Sequence, residues 1–273
     1  MYSDLLLSAL RAALLAGDEI LKIYESDFKV EYKKDASPLT AADRNAHRII
    51  TETLKPCGIP ILSEEGRDIP YSERKGWEQL WIVDPLDGTK EFVKRNGEFT
   101  VNIALIEQQE PVIGVIYQPT TRSLYFAARD TGAFKLGECK TEYIMSARLS
   151  AILSISEILP SHPPEDTLRV LASRSHMNQA TQDFITDLKK KGNSITLVSA
   201  GSSLKFCLIA EGKADLYPRF GPCNEWDTAA GQAIVECAGG EVMDYATSRP
   251  IKYNREDILN GPFLVTGSVA PLA

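Results

Sequence analysis

The sequence predicts a mixed α/β fold, of the α+β kind, with layered sheets shared between two subdomains. Three observations carry this. The N-terminal 55 residues read as two helices, the first with apolar residues on one face. Residues 99–135 hold apolar strands separated by short polar turns, as in an antiparallel meander. From residue 169 onward strands and helices alternate. The subdomains are expected at 1–145 and 146–273. At 273 residues the chain is long enough for a large core, in one domain or two closely joined ones.

Residues 3–25 read as a helix because Leu6, Leu10, Ala13 and Leu14 fall on one face. Residues 29–34 alternate weakly and read as extended. Pro38-Leu-Thr40 reads as a turn, and Thr40 is placed to cap a helix over 41–55. Ile59-Pro-Ile-Leu62 is a short strand ending at Ser63-Glu64-Glu65-Gly66. Residues 67–79 are polar, a loop with a short helix. Strands follow at 80–83, 99–107 and 112–117, the last two joined by Gln108-Gln-Glu110. Strands at 123–128 and 133–135 flank Asp130-Thr-Gly132. Residues 138–168 are the least regular, with Pro160, Pro163 and Pro164 marking a connection. Then come a strand at 169–172, a helix at 178–191 and a strand at 194–199. A helix at 202–211 is stopped by Gly212 and followed by a strand at 214–217. A helix at 228–238 is closed by Gly239-Gly240, and the last strand is 263–266.

Composition excludes several function classes. The net charge of −7 and pI near 5.2 argue against a nucleic-acid binder. An acidic protein binds anions only through metals or a local cationic pocket. The first residues lack a basic n-region and Arg11 interrupts their apolar run, so neither a signal peptide nor a membrane span is expected. Five cysteines without a C-x-x-C pair read as reduced thiols in a cytoplasmic protein. Nucleophile-elbow, H-E-x-x-H and Walker A motifs are absent, and three histidines disfavour a His-rich metal site.

The chemistry is concentrated in Trp81-Ile-Val-Asp84-Pro-Leu-Asp87-Gly-Thr89-Lys-Glu-Phe92. An apolar strand ends at two carboxylates, beside a segment that starts a helix. Carboxylates gather hard divalent cations, and N–H groups at a helix start receive phosphate oxygens. Further acids sit at element ends: Glu64 after a strand, Asp43 in Thr40-Ala-Ala-Asp43, and Asp227 at a helix start. Singly, Asp227 reads as an N-cap, Asp87-Gly88 as a turn, and Asp43 as a surface residue. Their combination is the specific signal.

That combination resembles the inositol monophosphatase superfamily of Mg2+-dependent, lithium-sensitive phosphatases. Its central motif stands here as Asp84-Pro-Leu-Asp87-Gly88-Thr89, and its C-terminal motif as Trp226-Asp227-Thr-Ala-Ala-Gly231. Its upstream glutamate stands as Ser63-Glu64-Glu65, and its early segment as Lys34-Asp-Ala-Ser-Pro-Leu-Thr40-Ala-Ala-Asp43. The resemblance implies a layered αβαβα sandwich and two to three Mg2+ ions. Glu64, Asp84 and the Leu86 carbonyl would hold the first. Asp84, Asp87 and Asp227 would hold the second, and Glu64 a weak third through water. Asp43 and Thr89 would orient or deprotonate the attacking water, with Glu64 in the same catalytic set. Gly88 and Thr89 would offer backbone N–H groups to the scissile phosphate, with Asp227 also on the substrate side. No covalent intermediate is implied.

After Thr89 the chain runs Lys90-Glu91-Phe92, where inositol monophosphatases usually have Thr-Asn-Phe. This version resembles the 3′(2′),5′-bisphosphate nucleotidase branch, the CysQ type. Gly201-Ser202-Ser-Leu-Lys205 and a strand ending in Arg219 are similar to that branch as well. Ser202 and Lys205, three apart on one face of a helix start, would join Arg219 in a cationic pocket for a second phosphate. Ser173-Arg174-Ser175-His176 resembles its nucleoside-side segment, and His176 is a candidate for base or distal phosphate. The resemblance thus implies hydrolysis of 3′-phosphoadenosine 5′-phosphate (PAP) to AMP and phosphate, with PAPS as a second substrate. The alternatives are an inositol monophosphatase and an inositol polyphosphate 1-phosphatase. The expected partner is a small nucleotide, for a cytoplasmic monomer or homodimer.

Overall fold

The computed structural model describes residues 2–32, 38–163, 165–172 and 178–268. Helix α1 (Ser3–Tyr24) buries Leu6, Leu10, Ala13 and Leu14 along one side. Strands β1 (Glu31–Tyr32) and β2 (Pro38–Leu39) pair antiparallel and lead into α2 (Ala41–Leu54). The turn expected at 38–40 is therefore partly strand. Proline, which has no N–H to donate, is tolerated as the first residue of such an edge strand.

The meander forms a seven-stranded sheet in the order β3 to β9. Its strands are β3 (Ile61–Ser63), β4 (Gln79–Asp87), β5 (Thr100–Glu107), β6 (Glu110–Gln118), β7 (Ser123–Ala128), β8 (Gly132–Leu136) and β9 (Glu157–Ile158). β3 and β4 are parallel, and the other neighbours are antiparallel. Short helices α3 (Tyr71–Arg74), α4 (Thr89–Val93), α5 (Thr141–Ser146) and α6 (Leu149–Ser154) lie between strands. β4 alternates, as a strand buried on both faces must. Trp81 and Val83 pack with α1 and α2 in one core, and Leu80 and Ile82 face the other core.

A second, five-stranded sheet has the order β11-β10-β12-β16-β14. It contains β10 (Leu168–Leu171), β11 (Ile195–Val198), β12 (Leu216–Arg219), β14 (Glu241–Asp244) and β16 (Phe263–Thr266). β13 (Cys223–Asn224) pairs with β15 (Leu259–Asn260) in a separate two-stranded sheet. Helices α8 (Leu204–Glu211) and α9 (Glu225–Cys237) fill the space between the two sheets. Helix α7 (Gln179–Lys190) closes the outer face through Phe184, Ile185 and Leu188. The layers run α1/α2, seven strands, α8/α9, five strands, α7, an αβαβα sandwich. The run Thr228-Ala-Ala-Gly is small because α9 is pressed from both sides. A Cβ on Gly231 would lie 2.3 Å from the Phe206 ring, and one on Gly114 of β6 would lie 2.3 Å from Ala230 O.

The five cysteines form no disulfide. Among the described residues no helix is long and apolar enough to cross a membrane.

Candidate active site

The tip of β4 is the centre. The sequence suggests a strand that stops at Val83, but β4 continues to Asp87 with a bulge. Asp84 opposes Asn102 and Asp87 opposes Thr100, so three steps on β4 match two on β5. Pro85 falls in the bulge, where no N–H is required. The extra residue brings both acids to one end of the sheet. Asp227 comes from the first turn of α9, and ligand oxygens of Asp84, Asp87 and Asp227 all lie within 4.8 Å of one another.

Burial pushes the Asp84 carboxyl well above the usual carboxylate range, and repulsion from Glu64, Asp87 and Asp227 adds to this. Asp87 is pushed up to about 7 by burial and then by Asp227, against Lys205 and hydrogen bonds from Ser203 and Asn102. Burial also raises Asp227, opposed by Asn224 N–H, the Cys223 thiol and Arg219. The raised values mean that the three carboxyls hold protons in place of charge when alone, whereas a hard divalent cation favours their ionised forms. The oxygen-only donor set fits such an ion. Glu64 follows β3, with its N–H donating to Val83 O at 3.1 Å, and it lines the same cleft.

Asp43 and Asp227 share a construction. Each is the third residue of its helix, and each carboxylate turns back onto the backbone before that helix. Asp43 Oδ2 accepts from Thr40 N–H at 2.7 Å and from Thr40 Oγ1 at 2.7 Å. Asp227 Oδ2 accepts from Asn224 N–H at 2.8 Å and from Cys223 Sγ at 3.2 Å. Asp227 is thus not the N-cap, as its place at a helix start suggested; Asn224 is. Asp43 is not at the surface but 2% exposed, with its carboxyl raised by burial. Its other oxygen receives the Thr89 hydroxyl at 3.2 Å, and the same hydroxyl lies 3.3 Å from Leu86 O. Gly88 precedes Thr89 at φ +93°, a backbone state that favours glycine. A Cβ there would lie 3.1 Å from Glu98 O. Helix α4, which starts at Thr89, is only five residues long.

A cleft of about 660 Å3 opens over these groups, lined on its far side by Asn178, Phe220, Pro222 and Leu259. A smaller pocket of about 140 Å3 adjoins it, sharing Asp87 and Asp227 and lined by Ser202, Lys205 and Arg219. The structure therefore brings the three candidate anion-binding residues together, although Ser202 is not in the helix. Helix α8 begins at Leu204, and Ser202 sits before it with φ +44°. Lys205 is 5% exposed, with Nζ 2.5 Å from Ser202 O, 3.4 Å from Ala200 O and 5.5 Å from the Tyr217 ring centroid. Arg219 donates from Nη2 to Pro222 O at 3.0 Å, while its buried Nε has no partner among the described residues. A guanidinium that lines a pocket with one N–H lacking an acceptor fits an anion. His176, with Ser173, Arg174 and Ser175, lies outside the described residues.

Sequence reasoning passed over Thr100, Asn102 and Ser203, which lie behind Asp87, and Cys223, which touches Asp227. The available signal was two polar residues, Thr100 and Asn102, in a strand whose six other positions are mostly apolar and buried.

An αβαβα sandwich with an acidic cluster at a sheet tip and a basic pocket beside it defines a protein that can hold a divalent cation and an anion side by side. The chain belongs to the inositol monophosphatase family, which it matches over residues 1–270. It is 47% identical over 258 residues to the 3′(2′),5′-bisphosphate nucleotidase CysQ of Salmonella typhimurium, covering 92% of this chain and 95% of that protein. The crystal structure of CysQ from Bacteroides thetaiotaomicron superimposes with a TM-score of 0.90 at 49% identity, over 98% of both chains. An inositol monophosphatase from Zymomonas mobilis shares the fold at 24% identity, with a TM-score of 0.73, over 98% of this chain and 94% of that one.

Proposed function

We propose that the chain is a Mg2+-dependent 3′(2′),5′-bisphosphate nucleotidase that hydrolyses PAP to AMP and phosphate, and PAPS to adenosine 5′-phosphosulfate. The observation that carries this is the basic pocket of Ser202, Lys205 and Arg219 opening directly from the Asp84/Asp87/Asp227 cluster. A bisphosphate has one phosphate for each. A monophosphate leaves the second pocket without a ligand. The 47% and 49% identity to proteins named CysQ supports the same substrate class.

Two or three Mg2+ ions, held by Glu64, Asp84, the Leu86 carbonyl, Asp87 and Asp227, would neutralise the phosphate and lower the pKa of water. The chain's own residues do the rest. The 5′-phosphate is held by Ser202, Lys205 and Arg219, which fixes the reacting end relative to the acids. Remote binding of this kind lowers the barrier at the reacting centre. The backbone N–H groups of Gly88 and Thr89 receive oxygens of the 3′-phosphate. As water attacks the phosphorus in line, the bond to the ribose 3′ oxygen breaks; the water's proton passes to Thr89 Oγ1 and the Thr89 proton to Asp43, while the departing 3′ oxygen takes a proton from water in the open cleft. Burial raises the Asp43 carboxyl and so its basicity. His176 is assigned to the nucleoside side. The five unpaired cysteines support a reducing compartment, the cytoplasm.

The test is phosphate release from PAP, inositol 1-phosphate and inositol 1,4-bisphosphate, measured side by side with Mg2+. PAP is expected to be turned over with the highest kcat/KM. Preference for either inositol phosphate would replace this reading with an inositol phosphatase.

A further inference from the structure

Behind Asp87 lies a buried polar network that none of these roles uses. Thr100, Asn102 and Ser203 are all buried. Ser203 Oγ lies 2.7 Å from Asn102 Oδ1 and 2.7 Å from Thr100 Oγ1, which in turn lies 3.0 Å from Asn102 Oδ1. Ser203 donates to Asn102 Oδ1 and Thr100 donates to the same oxygen or to Ser203, so the two hydroxyl protons serve two of the three contacts. The Asn102 carbonyl is then fixed as an acceptor. Its NH2 turns to Asp87 Oδ2 at 3.4 Å, an oxygen that also accepts the Ser203 N–H at 2.6 Å. Asp87 Oδ2 is thereby occupied, and Oδ1 remains for the acidic cluster.

The same loop faces the basic pocket. Residues 200–203 carry the Ala200 and Ser202 carbonyls that hold Lys205, and Ser202 itself lines the pocket with Lys205 and Arg219. One short loop therefore aims a cluster carboxylate with one of its backbone groups and shapes an anion pocket with its neighbours.

We propose that Thr100, Asn102 and Ser203 are positioning residues that couple the two sites. An anion in the pocket orders residues 200–203, the ordered Ser203 N–H and Asn102 amide fix Asp87, and the fixed carboxylate binds the cation more tightly. Linkage requires that the cation tighten the anion by the same factor. The coupling rests on the phosphate-pocket reading above. A phosphate touching the cation directly, or simple neutralisation of Lys205, would also couple the sites, but neither passes through Asn102.

The experiment is calorimetric titration of the full-length protein with Mg2+, without and with saturating AMP, for the natural chain and Asn102→Leu. In the natural chain AMP is expected to lower the Mg2+ Kd by about fivefold or more. In Asn102→Leu, with a cooperative thermal unfolding transition retained, the factor is expected to fall below about twofold. An unchanged factor in this variant overturns the proposal, and so does a natural chain whose Mg2+ affinity ignores AMP. Should Asn102→Leu not fold, Ser203→Ala removes only the hydroxyl that orients Asn102 and is judged by the same criterion. PAP turnover, measured in parallel, tests the substrate reading separately. Coupling without PAP turnover would overturn that reading alone.

Discussion

Arg219→Met separates substrate recognition from folding. Among the described residues Arg219 Nε is buried without a partner, and a single backbone contact at Nη2 holds the guanidinium. A hydrogen bond to a charged group contributes about 1.5–3 kcal/mol. Losing one to the second phosphate should lower kcat/KM for PAP by about ten- to over a hundredfold. The free protein loses little, because the substitution also removes an unsatisfied buried donor whose cost is about 1–3 kcal/mol. Thermal unfolding should therefore stay within a few degrees of the natural chain, or rise, since about 1 kcal/mol corresponds to roughly 2–4 °C at this size. Arg219 also draws down the Asp227 carboxyl, so a small loss shared by all substrates is expected through the acidic cluster. The decisive quantity is the ratio of losses on PAP and on inositol 1-phosphate, each followed by phosphate release at saturating Mg2+. Equal losses on the two would refute the pocket assignment. A melting temperature lower by ten degrees would refute the claim that the guanidinium awaits a ligand.

Asp87→Asn should weaken Mg2+ binding by at least about a hundredfold, beyond what outer hydrogen-bonding partners of a ligand contribute, and calorimetry measures this without turnover. Gly88→Ala places a Cβ 3.1 Å from Glu98 O at φ +93°. Urea unfolding should show a loss of about 1–3 kcal/mol, and a neutral change would mean that the loop relaxes. Glu211 is 1% exposed and accepts from Tyr125 at 2.6 Å, Lys135 at 2.8 Å and Lys213 at 2.7 Å. Burial pushes its carboxyl up, but these three donors outweigh burial and hold it below the usual range. Its contribution is therefore present above the ordinary glutamate pKa and lost as pH falls through the depressed one. Glu211→Gln should cost roughly 3 kcal/mol at pH 7 and flatten the acid limb of a stability–pH curve below about pH 4.

Long periodic elements were legible because their pattern is local. α1 and the meander follow directly from apolar spacing, and helix bounds near Thr40 and Gly212 follow from capping chemistry. Elements whose existence depends on a distant partner were not. Pro85 and Gly88 are turn signals in isolation, yet β5 holds Asp84 and Asp87 in the sheet through a bulge. β13, β14 and β15 are two to four residues long, and α5 and α6 six each, too short to show a period. Ser202 leaves the helix because Asp87 takes the Ser203 N–H and Lys205 takes the Ser202 carbonyl, contacts from 116 residues away and from the next turn. The acids were visible as a set, since several carboxylates at element ends repel one another unless a cation gathers them. Asn102 was not, because one polar residue in an apolar strand looks like ordinary alternation until the strand is known to be buried on both faces.

The two helix-capping acids bear on how a lineage of such chains would age. If a descendant stopped handling phosphate, Asp43 and Asp227 would keep a structural use, because each closes a capping box at the start of α2 or α9. Asp84 caps no helix. Without a cation its neutral form is favoured, and its remaining tie is the Leu86 N–H on Oδ1 at 3.0 Å, so a neutral residue that keeps this acceptor could replace it. The state of Asp84, rather than of the full acidic set, is therefore the position at which a living enzyme and a retired one would first diverge.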